Sequence, residues 1–375
     1  MVYVDFSKAF DTVSHAKLLI KLKGYGISGD LLNIIADFLA DRSQRTRVGQ
    51  HLSSSKYLSS SIVQGSCLGP LLFLIFINDL VKIFDANITP KLYADDLKIY
   101  TSIESNVDND RLQQNVDRLT KWAKTWQLSI SIKKCQTMHI SRKRDKILWM
   151  TTFNIDSSPL PNCDIVRDLG VEVDSELNFS RHINHIVGKA LTRSYLLSRS
   201  FTSRDTPTLV KAFKVYVRPI VEYCSAVWSP HLAKDIDLLE SVQRKFTKHL
   251  PSLRKMSYPD RLKHTNLERL DVRRLRYDLV MAYKILFGIV RVDCAQFFTL
   301  SHNTNNRGHD YKLYTHAVAT DARKYFFCNR VVPVWNDMPD YVDYTSLKKY
   351  TQSIRTIDLA KYCKKLKYDS HNYYR

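Results

Sequence analysis

Val2-Tyr3-Val4-Asp5-Phe6 opens the chain with a β-branched and aromatic run, which predicts a short buried strand. Ser14 is placed to cap a helix over about 14–23. Its Leu18, Leu19 and Leu22 share one face, and Gly24-Tyr25-Gly26 ends it. A second helix is predicted over about 30–40, strands over about 45–50 and 56–63, and a helix from Gly69-Pro70 to about 83 with proline in its first turn. Residues 91–103 read as a hairpin with Ala94-Asp95-Asp96 at its turn, 108–126 as an amphipathic helix and 137–141 as a strand. Past about residue 180 the pattern is helical, over about 181–198, 206–227, 234–250 and 271–287. From Arg291 it is mixed and rich in Tyr and Lys. The fold class expected is therefore α+β, with boundaries near 1–178, 179–290 and 291–375. A central strand at the first residues needs sheet partners, either from later in the chain or from residues before it. The expectation is a piece of a longer protein.

Composition narrows the role. Lys and Arg exceed Asp and Glu by 57 − 37, a formal charge of +20 over 375 residues, which points to a polyanion as partner. The longest apolar run, Leu71–Ile77, is far short of the roughly 20 residues that span a bilayer. Asp5 and Lys8 interrupt the first apolar stretch, so no secretory signal is read there. Seven scattered cysteines without a CxxC pair argue against zinc ribbons and disulfide scaffolds. The expectation is a reduced protein of the cytoplasm or nucleus that has no membrane partner.

Two places put acids where apolar residues belong: Asp5 after Val2-Tyr3-Val4, and Asp95-Asp96 between Leu92 and Leu97. Buried carboxylates need partners or cations. An Asp-Asp turn facing solvent accounts for the second pair equally well. Taken together, hard oxygen ligands at strand ends suit Mg²⁺. Two such ions serve phosphoryl transfer on nucleic acid, by a polymerase or a nuclease alike.

Three further stretches carry a resemblance. Val4-Asp5-Phe6-Ser7-Lys8-Ala9-Phe10-Asp11-Thr12-Val13, Gln64-Gly65-Ser66-Cys67-Leu68-Gly69-Pro70 and Tyr93-Ala94-Asp95-Asp96 occur in the order of the first palm motifs of LINE-type (non-LTR) retrotransposon reverse transcriptases. Ile77-Asn78-Asp79-Leu80, Leu169-Gly170-Val171 with Leu177 and His182, and Trp335-Asn336-Asp337-Met338-Pro339 are similar to later parts of such proteins. The resemblance implies a right-hand polymerase palm, a helical thumb and RNA-templated DNA synthesis from dNTPs on a DNA primer. It implies Asp5, Asp95 and Asp96 as catalytic metal ligands, joined by the Phe6 carbonyl, for two Mg²⁺ ions that Mn²⁺ can replace. Phe10 takes the place of the steric gate against ribose, Gln64-Gly65 that of the nucleotide pocket, and Lys134 that of a general acid for pyrophosphate. Asp11 reads as structural. The sequence departs from the pattern at Ser61-Ile62-Val63, at Ser131 and at Asp168, none of them a metal ligand. The fingers motifs and endonuclease that precede the first aspartate in the family are not in this sequence. A catalytically idle nucleic-acid-binding remnant is therefore the rival reading.

Basic clusters extend the expectation of nucleic-acid binding. They are Arg42, Arg45 and Arg47; Arg142, Lys143, Arg144 and Lys146; Arg273, Arg274 and Arg276; and Lys364, Lys365 and Lys367. Such residues give salt-sensitive grip on phosphates, although each cluster alone also fits a solvated face.

Overall fold

A computed structural model describes residues 1–141, 151–301 and 308–363. The chain divides into two compact units, Met1–Val166 with Asp174–Glu176 and Arg167–Val173 with Leu177–Arg375. The α+β class expected from the sequence is the one observed.

In the first unit the opening strand Val2–Val4 lies inside a four-stranded antiparallel sheet. The spatial order is Thr89–Tyr93, Asp96–Tyr100, Val2–Val4, Gln136–Thr137. Its partners do come from later in the chain. Val2, Val4 and Phe6 are buried on one face by the two-residue period, together with Leu97 and Ile99 of the neighbouring strand. That face packs against Leu18 and Leu22 of the His15–Gly24 helix, Phe73 and Phe76 of the Gly69–Ile77 helix, and Leu112, Val116 and Leu119 of the Asn106–Trp126 helix. The last of these helices starts at a capping box, where the Ser105 N–H donates to Asp108 at 2.9 Å.

Several elements are shorter than the sequence predicts. The strands expected over 45–50 and 56–63 are the two-residue pairs Ser43–Gln44 with Lys56–Tyr57 and Arg47–Val48 with His51–Leu52. All of these residues are exposed, so no buried face extends the pairing. The strand expected over 137–141 is Gln136–Thr137, and the helix expected to reach 83 tightens to 3₁₀ geometry at Asn78–Ile83.

The sheet-backing helices are joined by a buried cation. Lys21 is 5% exposed, and its ammonium donates to the Phe76 carbonyl and to Asp79 Oδ1 at 2.5 Å. It sits among rings, 3.9 Å from the Trp126 centroid, 4.6 Å from Trp122 and 4.8 Å from Phe76. Burial pushes its pKa down, and Asp79 offsets part of that.

In the second unit the Ser180–Ser200, Thr206–Tyr216 and Ala233–His249 helices close over Phe213, Trp228, Leu239 and Val242. The single helix expected over 206–227 is broken. It stops at Tyr216, Arg218–Val221 forms a 3₁₀ turn, and a short helix resumes at Ser225–Trp228. Pro219 cannot donate inside a continuing helix, and Cys224 adopts φ +56° between the pieces. The Leu270–Leu286 helix then builds a second core with the C-terminal part, where Tyr283, Trp335 and Tyr344 pack around Tyr350. The Trp335 indole donates to the Tyr311 carbonyl at 2.7 Å. Among the described residues no helix is long and apolar enough to cross a membrane.

The Asp79→Ala variant leaves the Lys21 ammonium buried without its carboxylate. The expected loss is about 3 kcal/mol, read from urea midpoints. Lys21→Met combined with Asp79→Leu is expected to recover most of it. A loss below about 1 kcal/mol in the single variant would show the rings and the Phe76 carbonyl to be sufficient partners.

Candidate active site

The same alternation that buries Val4 and Phe6 turns Asp5 onto the opposite, open face of the sheet. The pairing of the opening strand with Asp96–Tyr100 runs Val2 to Ile99, Tyr3 to Lys98 and Val4 to Leu97. One further step along this register brings Asp5 level with Asp96. The hairpin pairs Tyr93 with Asp96, so Ala94-Asp95 is its two-residue turn. Ala94 takes φ +52°, a left-handed conformation that alanine seldom adopts outside a constrained site. Asp95 is half-buried there and Asp96 is exposed. Residues far apart in sequence thus meet at one end of the central strands.

The other edge of the opening strand is held twice. Gln136–Thr137 pairs with Tyr3 and Val2, and Phe6 bridges to Ile130. The bridge is flanked by bonds from Ser7 N–H to the Ser129 carbonyl and from Ser131 N–H to the Asp5 carbonyl, each 2.8 Å. Phe6's own carbonyl therefore faces the opposite edge, on the side of the Asp96–Tyr100 strand. The 3₁₀ turn Ile132–Lys134 bulges between the two pairings and carries Lys134 over Asp5, with Nζ 3.3 Å from Oδ1. That contact is not aligned as a hydrogen bond, and Asp5 Oδ1 is buried without one. Cys135 lies behind, with the Asp5 N–H 3.5 Å from its sulfur. Burial pushes the Cys135 thiol up, the Asp5 N–H offsets part of this, and the Asp5 charge adds to it.

These groups fit a divalent cation. A buried carboxylate oxygen lacks a hydrogen bond, the Phe6 carbonyl faces the Asp96–Tyr100 strand, and two more carboxylates lie in and after the turn that precedes that strand. All of these donors are hard oxygens. Among the described residues no three His, Cys, Asp or Glu side chains stand close enough to hold a metal ion by themselves, Asp5, Asp95 and Asp96 included, so the backbone carbonyl and a bound substrate's oxygens would have to complete the set.

The remaining predicted residues surround this end of the unit. Phe10 is half-buried and stacked on Phe73, centroids 4.2 Å apart at 19°. Gln64 is exposed and donates to Asp11 Oδ1 at 2.9 Å, so Asp11, read as structural, orients the residue assigned to the nucleotide pocket. Gly65 takes φ +85°, and the Ser66 hydroxyl donates to the Val63 carbonyl at 2.7 Å while accepting from the Gly69 N–H at 3.0 Å. Neither the Asp11–Gln64 bond nor the role of Cys135 was read from the sequence. The order of the motifs is the one signal that relates them.

The basic clusters separate. Arg45 and Arg47 are exposed on the short ribbon that follows Ser43. Arg142, Lys143 and Arg144 lie outside the described residues. Arg274 is corrected: it is 2% exposed in the second unit, among Asp271, Glu240 and Asp278. A guanidinium at that depth does not reach a nucleic-acid backbone. Arg273 pairs with Glu222 at 2.5 Å and Arg276 with Glu268, so both also serve the helical framework.

Residues 1–173 match the family described as reverse transcriptase (RNA-dependent DNA polymerase). That match covers the first 173 of 375 residues, and it is there that the chain is similar to reverse transcriptases. It is 28% identical over 258 residues to the RNA-directed DNA polymerase from mobile element jockey of Drosophila funebris, a match covering 66% of this chain and 28% of the relative. The probable RNA-directed DNA polymerase from transposon X-element of Drosophila melanogaster is 24% identical over 65% of this chain and 27% of its own length. The matched part of the chain thus spans little more than a quarter of these relatives. By shape, telomerase from Candida albicans aligns with a TM-score of 0.37 at 11% identity over 72% of this chain and 49% of that one, a likeness too slight to bear on fold or function.

In the matched region the loop before Gly69 is packed so closely that a methyl group there meets the Val63 carbonyl at 2.6 Å. Gly69→Ala is expected to cost about 1–3 kcal/mol in thermal or urea unfolding. Gly65→Ala has open space around it, and its cost comes only from the positive φ, about 1 kcal/mol. Equal effects at the two positions would contradict the packing argument.

Proposed function

We propose that the chain performs RNA-templated DNA synthesis, adding dNTPs to the 3′-hydroxyl of a DNA primer with Mg²⁺. The observation that carries this reading is the strand register that brings Asp5 level with Asp96 at the Ala94-Asp95 turn, with a buried Asp5 oxygen that has no hydrogen bond. The family match over residues 1–173 and the names of the relatives support it. Divalent ions held there would activate the 3′-hydroxyl and stabilise charge on the leaving pyrophosphate.

The chain's own residues supply the rest. Asp5, Asp95, Asp96 and the Phe6 carbonyl would hold the cations, whose charge would offset the carboxylates' repulsion of a phosphate substrate. Lys134, already 3.3 Å from Asp5 and 68% exposed in its side chain, is free to swing to a pyrophosphate oxygen and donate a proton. Phe10, fixed by its stack on Phe73, presents a rigid edge that collides with a ribose 2′-hydroxyl. Gln64, held by Asp11, lines the nucleotide position beside Gly65. The exposed Arg45 and Arg47 suit template phosphates, and the proposal places the protein in the cytoplasm or nucleus.

Primer extension on an oligo(dT)-primed RNA template with Mg²⁺ tests the reading. Extension is expected from the chain and none from Asp95→Ala, Asp96→Ala, a loss of at least about 10³-fold. No extension from either protein, with equal salt-sensitive RNA binding, would favour the idle remnant. A second expectation concerns the gate. Phe10→Val should raise ribonucleotide incorporation relative to dNTPs by about 10²-fold or more, and an unchanged ratio would remove Phe10 from sugar selection.

A further inference from the structure

Buried charge in the second unit is mostly self-satisfied, but one hollow is not. A polar cavity of about 550 Å³ is walled by Lys214, Arg218, Arg273, Arg276 and Arg355, with Glu268 as its one acidic lining residue. Arg276 is bound to Glu268 and to the Ile354 carbonyl at 2.7 Å. Arg273 shares Glu222 with Arg218, yet the partition is unequal. Arg273 takes the carboxylate at 2.5 Å through Nε, whereas Arg218 Nε stays 3.6 Å away. Arg218 Nε is buried and makes no hydrogen bond. Burial, and then the like charge of Arg273, push the Arg218 guanidinium below its usual range, and Glu222 offsets only part of this. Lys214 and Arg355 add two more cations, neither in an ion pair among the described residues.

The cavity does not end there. A neighbouring hollow shares Lys214 and Asn266 with it and continues along Lys211 and His264. Lys211 and Lys214 are three residues apart on the Thr206–Tyr216 helix and so project from one side. The result is a groove with cations spaced along it, rather than a pit for a single anion.

We propose that this groove holds consecutive backbone phosphates of a nucleic-acid strand, at a site formed by the second unit alone. Guanidinium forks suit phosphate oxygens, and a line of cations suits a polymer more than a free phosphate. The polar walls leave little for bases to stack on besides Tyr277, so the groove grips without reading sequence. The choice of nucleic acid over an acidic peptide rests on the reverse transcriptase reading, while the grip itself needs none of the aspartates.

The test uses the full chain, fluorescein-labelled 20-nucleotide RNA and DNA of one sequence, and anisotropy over a salt series. Lys214→Glu with Arg355→Glu reverses two cations that no ion pair holds. It is expected to weaken binding at least ten-fold and to make the log–log salt slope shallower by about 1.4. Lys248→Glu with Lys348→Glu makes the same charge change at exposed positions outside the groove and is expected to change affinity less than three-fold. The strand with the larger loss identifies which nucleic acid the groove holds. Equal losses in the two variants would overturn the proposal, since bulk charge alone would then explain binding. Displacement of the RNA by polyglutamate as readily as by unlabelled RNA would overturn it in favour of an acidic protein partner. The Asp95→Ala, Asp96→Ala chain is expected to bind like the wild type, so a failed polymerase reading shows in extension and a failed groove shows in binding.

Discussion

The antiparallel register between Val2–Val4 and Asp96–Tyr100 is the constraint on which the rest depends. Side chains alternate along a strand, so a slip of one residue would turn Asp5 into the core and Val4 out of it. The apolar face fixes the register, because Val2, Val4 and Phe6 together with Leu97 and Ile99 have one way to be buried at once. Placement of the carboxylates is therefore a by-product of core packing. The site is assembled by the hydrophobic face behind it and not by attraction among its own like charges, which oppose it. Lys134, carried by the bulge between two pairings of the same strand, moderates that repulsion.

Charge is handled in two ways across the chain. Lys21 and Glu240 are sealed into interiors with partners chosen by the fold: Lys21 by Asp79 and three rings, and Glu240 by the Tyr258 hydroxyl and the Leu270 N–H at 2.8 Å. These groups set how elements meet and are closed to ligands. The Asp5 carboxylate of the first unit and the unevenly paired Arg218 guanidinium of the second are different. Their partners are incomplete, which is the condition under which a protein group binds something else.

The sequence made the small sheet, the helical second half and the ordered motifs legible because each is written in local pattern. Asp5 and Asp95-Asp96 stood out as acids set against apolar neighbours. The break at Val217 was missed because apolar spacing continues through Arg218–Val221, and only Pro219 signalled that the helix could not. Arg274 was misread for a related reason. A basic residue in a run of basic residues looks solvated until the helix phase is known, and Arg274 shares the buried face with Asp271 and Asp278. The Asp11–Gln64 bond joins residues 53 positions apart, and no local pattern encodes such a contact.

Manganese binding measures the central claim most directly. Electron paramagnetic resonance of Mn²⁺ with the full chain, a primer–template and an unreactive dNTP analogue counts ions held at the site. Bound Mn²⁺ is expected for the wild type, with loss of it in Asp5→Asn and in Asp95→Asn while circular dichroism stays unchanged. Retention of the same bound Mn²⁺ in both variants would contradict the account, because the register would then have brought the carboxylates together without making them ligands.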